Sequence, residues 1–135
     1  MNMIDPSAAI RIARPSRDLI AAERFYAGGL GLRVLFRAEA NGPGEHDLIM
    51  LGLPGAAWHL ELVGGPNLIV EPTPTTEDLF VIYLDGPVDE RLIARLVEAG
   101  GRRVEQSAYW DRWGVTVADP DGYRLVLSTR SWRNG

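Results

Sequence analysis

The chain has 135 residues, 46% apolar and 24% charged, a composition that fits one domain with a sizeable core and excludes global disorder. With 14 Lys and Arg against 18 Asp and Glu, the net charge of −4 leaves no electrostatic basis for general nucleic-acid binding. There is no cysteine, which excludes a disulfide scaffold, a thiolate zinc site and a cysteine nucleophile, and His46 and His59 are the only histidines. The start, MNMIDPSAAIRIARP, carries acid early rather than a basic stretch followed by an apolar run. No window approaches about 20 apolar residues, so no membrane segment is expected and the cytoplasm is the expected compartment.

Ala9 to Pro15 alternates, with Ile10 and Ile12 on one side and Arg11 and Ala13 on the other, and reads as a half-buried strand. Ser16 or Asp18 can cap a helix through Tyr26, which Gly28, Gly29 and Gly31 stop. Strands are expected at Leu32–Phe36, His46–Leu53 and Ala57–Val63, with turns at Asn41–Gly44 and Pro54–Gly55. Residues 64–78, rich in Gly, Pro and Thr, read as a linker. Leu79–Leu84 is a strand, Val88–Ala99 a helix stopped by Gly100 and Gly101, and Arg102–Glu105 a strand. Gln106–Arg112 reads as a loop, Gly114–Ala118 as a strand, Asp119–Gly122 as a tight turn and Tyr123–Ser128 as the last strand. Arg130 to Gly135 form a polar tail that can dock through the Trp132 ring.

Each half therefore reads strand, helix, strand, strand, strand. The letters repeat as well. Ala27-Gly28-Gly29 answers Ala99-Gly100-Gly101, and the proline turn at Leu53-Pro54-Gly55 answers that at Asp119-Pro120-Asp121-Gly122. The expected organisation is one domain over 1–135, made of a module at 9–63 and a module at 79–129 joined by linker 64–78.

Two segments carry a family likeness: Asp18-Leu19 through Arg24-Phe25-Tyr26 to Leu30-Gly31-Leu32, and Trp113-Gly114 through Asp119-Pro120-Asp121-Gly122-Tyr123. With them the chain resembles the vicinal oxygen chelate superfamily, the glyoxalase/bleomycin resistance/dioxygenase group. The resemblance implies an α+β fold of two βαβββ modules with mixed sheets forming a shared cleft. It also implies four metal-ligand positions, which fall here on Arg11, Glu61, Leu79 and Val126. A guanidinium does not ligate a cation, and Leu and Val have no donor atom, so the usual metal centre is expected to be absent. His59 lies two residues from Glu61 on the same strand face, but two donors without a third read as a hydrogen-bonding pair.

Strand alternation assigns Ile10, Ile12, Leu60, Leu62, Phe80, Ile82, Leu125 and Leu127 to the face that covers the helices. The opposite face carries Arg11, Ala13, His59, Glu61, Leu79, Val81, Tyr83, Arg124 and Val126, a mixture that suits a ligand cleft. Arg11 and Glu61 are expected to form an ion pair, which reads either as a fixed cation for an anionic or carbonyl-bearing ligand or as a structural bridge. Tyr109 and Trp110 are expected at the cleft mouth, where flat rings serve recognition, and the alternative is a dimer surface. His46 reads as an exposed turn histidine, and Asp119 and Asp121 as turn-forming rather than catalytic acids. The candidate ligand-binding set is Arg11, His59, Glu61, Tyr83, Tyr109, Trp110 and Arg124.

Two function classes follow. One is a metal-free small-molecule binder with no cofactor, like the resistance members that sequester a drug. The other is a lyase, isomerase or dioxygenase-type enzyme in which Glu61 acts as base or metal ligand. A small-molecule ligand and a homodimer are the expected partners, since a small protein with exposed sheet edges favours pairing.

Overall fold

The alternation of apolar and polar residues resolves into two four-stranded mixed sheets in the computed structural model, which describes residues 3–135. The first sheet contains β1 (Ile10–Pro15), β2 (Arg33–Ala38), β3 (Asp47–Gly52) and β4 (Trp58–Gly64), in the order β1-β4-β3-β2. β1 runs parallel to β4, and the other neighbours are antiparallel. The second sheet repeats this plan with β5 (Leu79–Tyr83), β6 (Arg102–Val104), β7 (Gly114–Ala118) and β8 (Arg124–Ser128), in the order β5-β8-β7-β6. Its parallel pair is again first strand to last. The duplicated order of elements is thus a duplicated topology, two βαβββ units.

Helix α1 (Leu19–Glu23) follows β1, and Asp18 is its N-cap, accepting the Ala21 N–H at 3.1 Å. Ser16 accepts the Asp18 N–H at 3.3 Å, so it supports the cap instead of forming it. The helix then widens into a π-helical turn over Arg24–Gly29. Gly31 takes a left-handed φ of +89° to leave it, a conformation without steric penalty only for glycine. Helix α2 (Glu90–Glu98) is capped by Asp89 and left through Gly100 at φ +100°.

One core joins the two units. Ala22, Phe25 and Tyr26 meet Ile93 and Leu96 of α2, and these are covered by Ile49, Leu51, Leu60 and Leu62 from the first sheet and Val117, Leu125 and Leu127 from the second. Each sheet therefore presents one apolar face to a common helical layer. Gly29 sits where the helices touch, and a Cβ there would lie 3.2 Å from the Ala99 Cβ.

Three expectations need correction or refinement. Ile10 and Ile12 do not lie under the helices; they remain 56% and 53% exposed. β1 is an edge strand, and the short α1 packs over β3 and β4 instead. The expected loop at Gln106–Arg112 contains a helix, α3 (Ala108–Trp113). It closes because the Asp111 N–H bonds the Ser107 carbonyl at 2.9 Å while the Asp111 carboxylate accepts the Gln106 N–H at 3.0 Å. The segment between β4 and β5 has no helix or strand, yet it is tied down. Arg17 Nε meets Glu71 at 2.9 Å and Arg17 Nη2 donates to the Pro72 carbonyl at 3.1 Å.

Candidate functional site

In β4, Leu60 and Leu62 enter the core, so His59 and Glu61 face the other way. In-register pairing sets Arg11 beside His59 and Met50 beside Glu61. The Arg11 guanidinium reaches all three neighbours. Nε donates to His59 Nε2 at 3.0 Å, Nη2 approaches Met50 Sδ at 3.7 Å, and Nη1 lies 3.7 Å from Glu61 Oε1. His59 Nε2 is therefore the acceptor of the Arg11 Nε–H. Arg11 is 49% exposed and Glu61 only 13%, so the cluster offers a solvent-facing cation backed by a shielded carboxylate. The guanidinium keeps N–H groups directed to neither partner, and these suit a carboxylate, phosphonate or carbonyl oxygen.

This arrangement does not fit a divalent cation at the four ligand positions. Glu61 and His59 both face the Arg11 guanidinium, whose charge would oppose a metal placed between them. Leu79 and Val126 supply no donor atom. Among the described residues, no three or more His, Cys, Asp or Glu are grouped to hold a metal.

The apolar border of this cluster was not part of the sequence reading. A β-bulge in β2, between Val34 and Phe36, shifts the register so that Phe36 pairs with Met50 on the outer face. Leu35 reaches the same face, where a Cβ on Gly52 would lie between Leu35 Cδ1 at 3.0 Å and His59 Cβ at 3.2 Å. Leu35 and Phe36 are both exposed, giving the polar cluster an apolar flank. Met50 could have been found by alternation with buried Ile49 and Leu51. A bulge leaves no comparable sign in the letters.

The other candidates lie on the second unit. Arg124 Nη1 donates to Gln106 Oε1 at 2.7 Å and to the Glu105 carbonyl at 3.2 Å, tying β8 to the segment before α3. Tyr109 and Trp110 pack edge to face on α3, with centroids 5.0 Å apart. Tyr83 meets Trp132, a tail tryptophan that is 70% exposed, at 6.3 Å. Among the described residues, no hydrogen bond, ion pair or ring contact joins these groups to Arg11, His59 or Glu61. His46 is part-buried rather than exposed, with an unpartnered Nδ1.

Asp119 and Asp121 act as turn residues. Asp119 Oδ1 accepts the N–H groups of Asp121 and Tyr123 at 2.8 and 3.0 Å, and Asp121 Oδ1 accepts the Arg17 N–H at 2.9 Å. Asp119 Oδ2 also accepts the buried Tyr26 hydroxyl at 2.6 Å, a link between the two units. Burial raises the Asp119 pKa, and burial together with the Asp119 charge pushes Tyr26 well above its ordinary value.

Comparison with known proteins agrees with this architecture. A model of the YycE-like N-terminal domain matches residues 10–63, and one of the YycE-like C-terminal domain matches residues 77–129. The uncharacterised protein YycE of Bacillus subtilis (strain 168) is 38% identical over 123 residues, which span 90% of this chain and 87% of that protein. The crystal structure of a Bacillus subtilis YycE protein of unknown function superposes with a TM-score of 0.82 at 36% identity, covering 96% of this chain and 94% of that one. Two more distant structures share the fold. Leishmania major glyoxalase I has a TM-score of 0.68 at 20% identity, covering 87% of this chain and 83% of its own. The antibiotic-binding protein TnmS3 from Streptomyces sp. CB03234 has a TM-score of 0.62 at 22% identity, covering 97% and 100%. With both domain models matched and its paired βαβββ units, the chain belongs to the YycE-like family, within the vicinal oxygen chelate superfamily.

Proposed function

We propose that the protein binds a small organic molecule through an anionic or carbonyl oxygen, on the outer face of the first sheet and without a metal. The observation that carries this reading is the half-exposed Arg11 guanidinium, backed by Glu61 at 3.7 Å and His59 at 3.0 Å. Leu35, Phe36 and Met50 supply the apolar contact area that such a ligand needs beside its polar anchor. TnmS3, which shares the fold, binds an antibiotic, and that likeness supports a binding role for the same architecture. In this reading Tyr83, Tyr109, Trp110 and Arg124 contact the ligand from a second unit, and two copies of the chain work as a homodimer. Exposed Ile10 and Ile12 on edge strand β1 give that second copy an apolar strip to cover. The described residues contain no helix long and apolar enough to cross a membrane, and the proposed place of action is the cytoplasm.

The test is a thermal-shift screen of small organic anions and carbonyl compounds against the wild type and Arg11→Met. Compounds that stabilise the wild type should lose that effect in the variant; equal stabilisation of both would refute the site. One observation favours an enzyme instead: Glu61 is largely shielded from water and stands within reach of the same cluster. A compound bound by both wild type and Glu61→Gln, but converted only by the wild type, would establish that second reading.

A further inference from the structure

The chain between β6 and β7 crosses the outer face of the second sheet. Alternation with the core residues Val117, Leu125 and Leu127 turns Thr116, Arg124 and Val126 to that face. Gln106 lies two residues after β6, one edge of the sheet. Yet its Nε2 donates at 2.5 Å to the carbonyl of Thr76, just before β5 at the other edge. Between these edges, Arg124 Nη1 donates to Gln106 Oε1 at 2.7 Å and to the Glu105 carbonyl at 3.2 Å. Helix α3 then leads back to β7. Residues 105–113 are thus a strap. On the face it crosses, Val126 and Thr116 are 0% and 1% exposed, and Thr116 Oγ1 is buried without a partner. The matching connection of the first unit, residues 39–46, is tied to Asp47 and Asn67 instead, and Arg11 on that outer face stays half exposed. The duplicated units therefore differ, one outer face open and the other closed by its own chain.

The contacts on Arg124 imitate those of a bound ligand. Two carbonyl oxygens sit on one guanidinium nitrogen, where a carboxylate would place its own. The Gln106 amide is neutral, and a carboxylate makes the stronger, charge-assisted bond to arginine. The strap is also lightly held. No residue of α3 is buried, and a space of about 300 Å³ lies between Glu105 and Asp111 of the strap and Val104 and Thr116 of the sheet. Local opening costs little where few buried contacts are lost, and it lets water reach Thr116 Oγ1. The far end stays fixed, because the Thr129 N–H and hydroxyl donate to the Trp113 carbonyl at 2.7 and 2.9 Å. We propose that residues 105–113 are an autoinhibitory strap: Gln106 holds Arg124 as a built-in substitute for the ligand, and a carboxylate engages the second unit by displacing it. This rests on the reading of Arg124 as a ligand contact and adds the control of that contact.

The test pairs hydrogen exchange with calorimetric binding of phenylacetate, a carboxylate with one ring. Gln106→Ala removes the amide and keeps Arg124. Strap amides should then exchange at least about tenfold faster than in the wild type, and phenylacetate should bind at least about tenfold more tightly. Arg124→Met should free the strap in the same way without the gain in affinity. Unchanged exchange and affinity in Gln106→Ala overturn the strap and leave the Arg11 site standing. Faster exchange without tighter binding overturns the autoinhibition as well, since Arg124 then takes no carboxylate. If Arg11→Met binds phenylacetate as the wild type does, and adding Gln106→Ala still tightens binding, the strap is supported while the Arg11 site is refuted.

Discussion

Arg11 carries its charge on a side chain that is half exposed, and that exposure sets what its ion pair is worth. A fully buried pair loses about 3–5 kcal/mol when one partner is removed. At 3.7 Å, with water on the guanidinium, the pair belongs to the weaker, screened class. Arg11→Met and Glu61→Gln should each cost about 1 kcal/mol or less in urea unfolding, with a coupling in the double variant below about 1 kcal/mol. A coupling several times larger would mean that the pair is a buried structural bridge and not an open recognition group. The Tyr26–Asp119 contact behaves oppositely, because both groups are buried. Tyr26→Phe strands a carboxylate oxygen and should cost about 1–3 kcal/mol near neutral pH. Burial holds the folded Asp119 pKa above its ordinary value of 3.8, and loss of the Tyr26 bond raises it further. Such a group binds its proton more tightly in the folded state, so its contribution to stability falls as pH rises from 3.8 through the raised folded pKa. The deficit of Tyr26→Phe should thus shrink on acidification; a deficit that is constant with pH would show that Asp119 does not titrate there. The adjacency of Arg11, His59 and Glu61 was readable only in part: period-two alternation puts His59 and Glu61 on one strand face, and the family resemblance, not the letters, brings Arg11 beside them. Leu35 and Phe36 were not, because one extra residue in β2 moves both to a face that simple alternation does not assign.

Local geometry at the level of elements explains where short segments depart from pattern. α3 spans only six residues, too few for a 3.6-residue apolar period to show, and side-chain closure by Asp111 makes the turn. Trp113, at its end, has the guanidinium groups of Arg112 at 4.9 Å and Arg130 at 4.7 Å over its ring, and the Arg130 contact joins the helix to the segment after β8. Two glycines distinguish packing need from helix-stop chemistry. A Cβ on Gly114 would collide with the Leu127 carbonyl, so backbone of β8 would have to move. Gly114→Ala should therefore lower stability by about 1–3 kcal/mol. Gly28 has nothing within 4 Å and no left-handed φ. Gly28→Ala should raise stability by about 0.5–1 kcal/mol, since it restricts the unfolded chain and adds no clash. Thermal unfolding of the two variants checks both signs, and a stabilising Gly114→Ala would contradict the β7–β8 register.

For the molecule as a whole, the duplication was the most readable feature, because the element order, the glycine stops and the proline turns repeat together. The eight strands and helices α1 and α2 followed from it, without α3. The burial of Ile10 and Ile12 did not, since an apolar letter cannot tell an edge strand from a covered one. Those two residues bear on assembly: light scattering should give twice the chain mass, and Ile12→Lys should return the monomer with its fold intact. A wild-type monomer at all concentrations would remove the homodimer from the proposal. Protein prepared without a chelating tag should carry well below one equivalent of Zn, Ni, Fe or Mn by elemental analysis, because Arg11 occupies the place of a ligand. The most direct test of the binding site is a crystal structure of the protein with the compound that stabilises it most in the thermal-shift screen. The expected result is an oxygen of that compound on the Arg11 guanidinium, with its apolar part against Leu35 and Phe36. A compound seated away from Arg11, or a divalent metal held between Glu61 and His59, would contradict it.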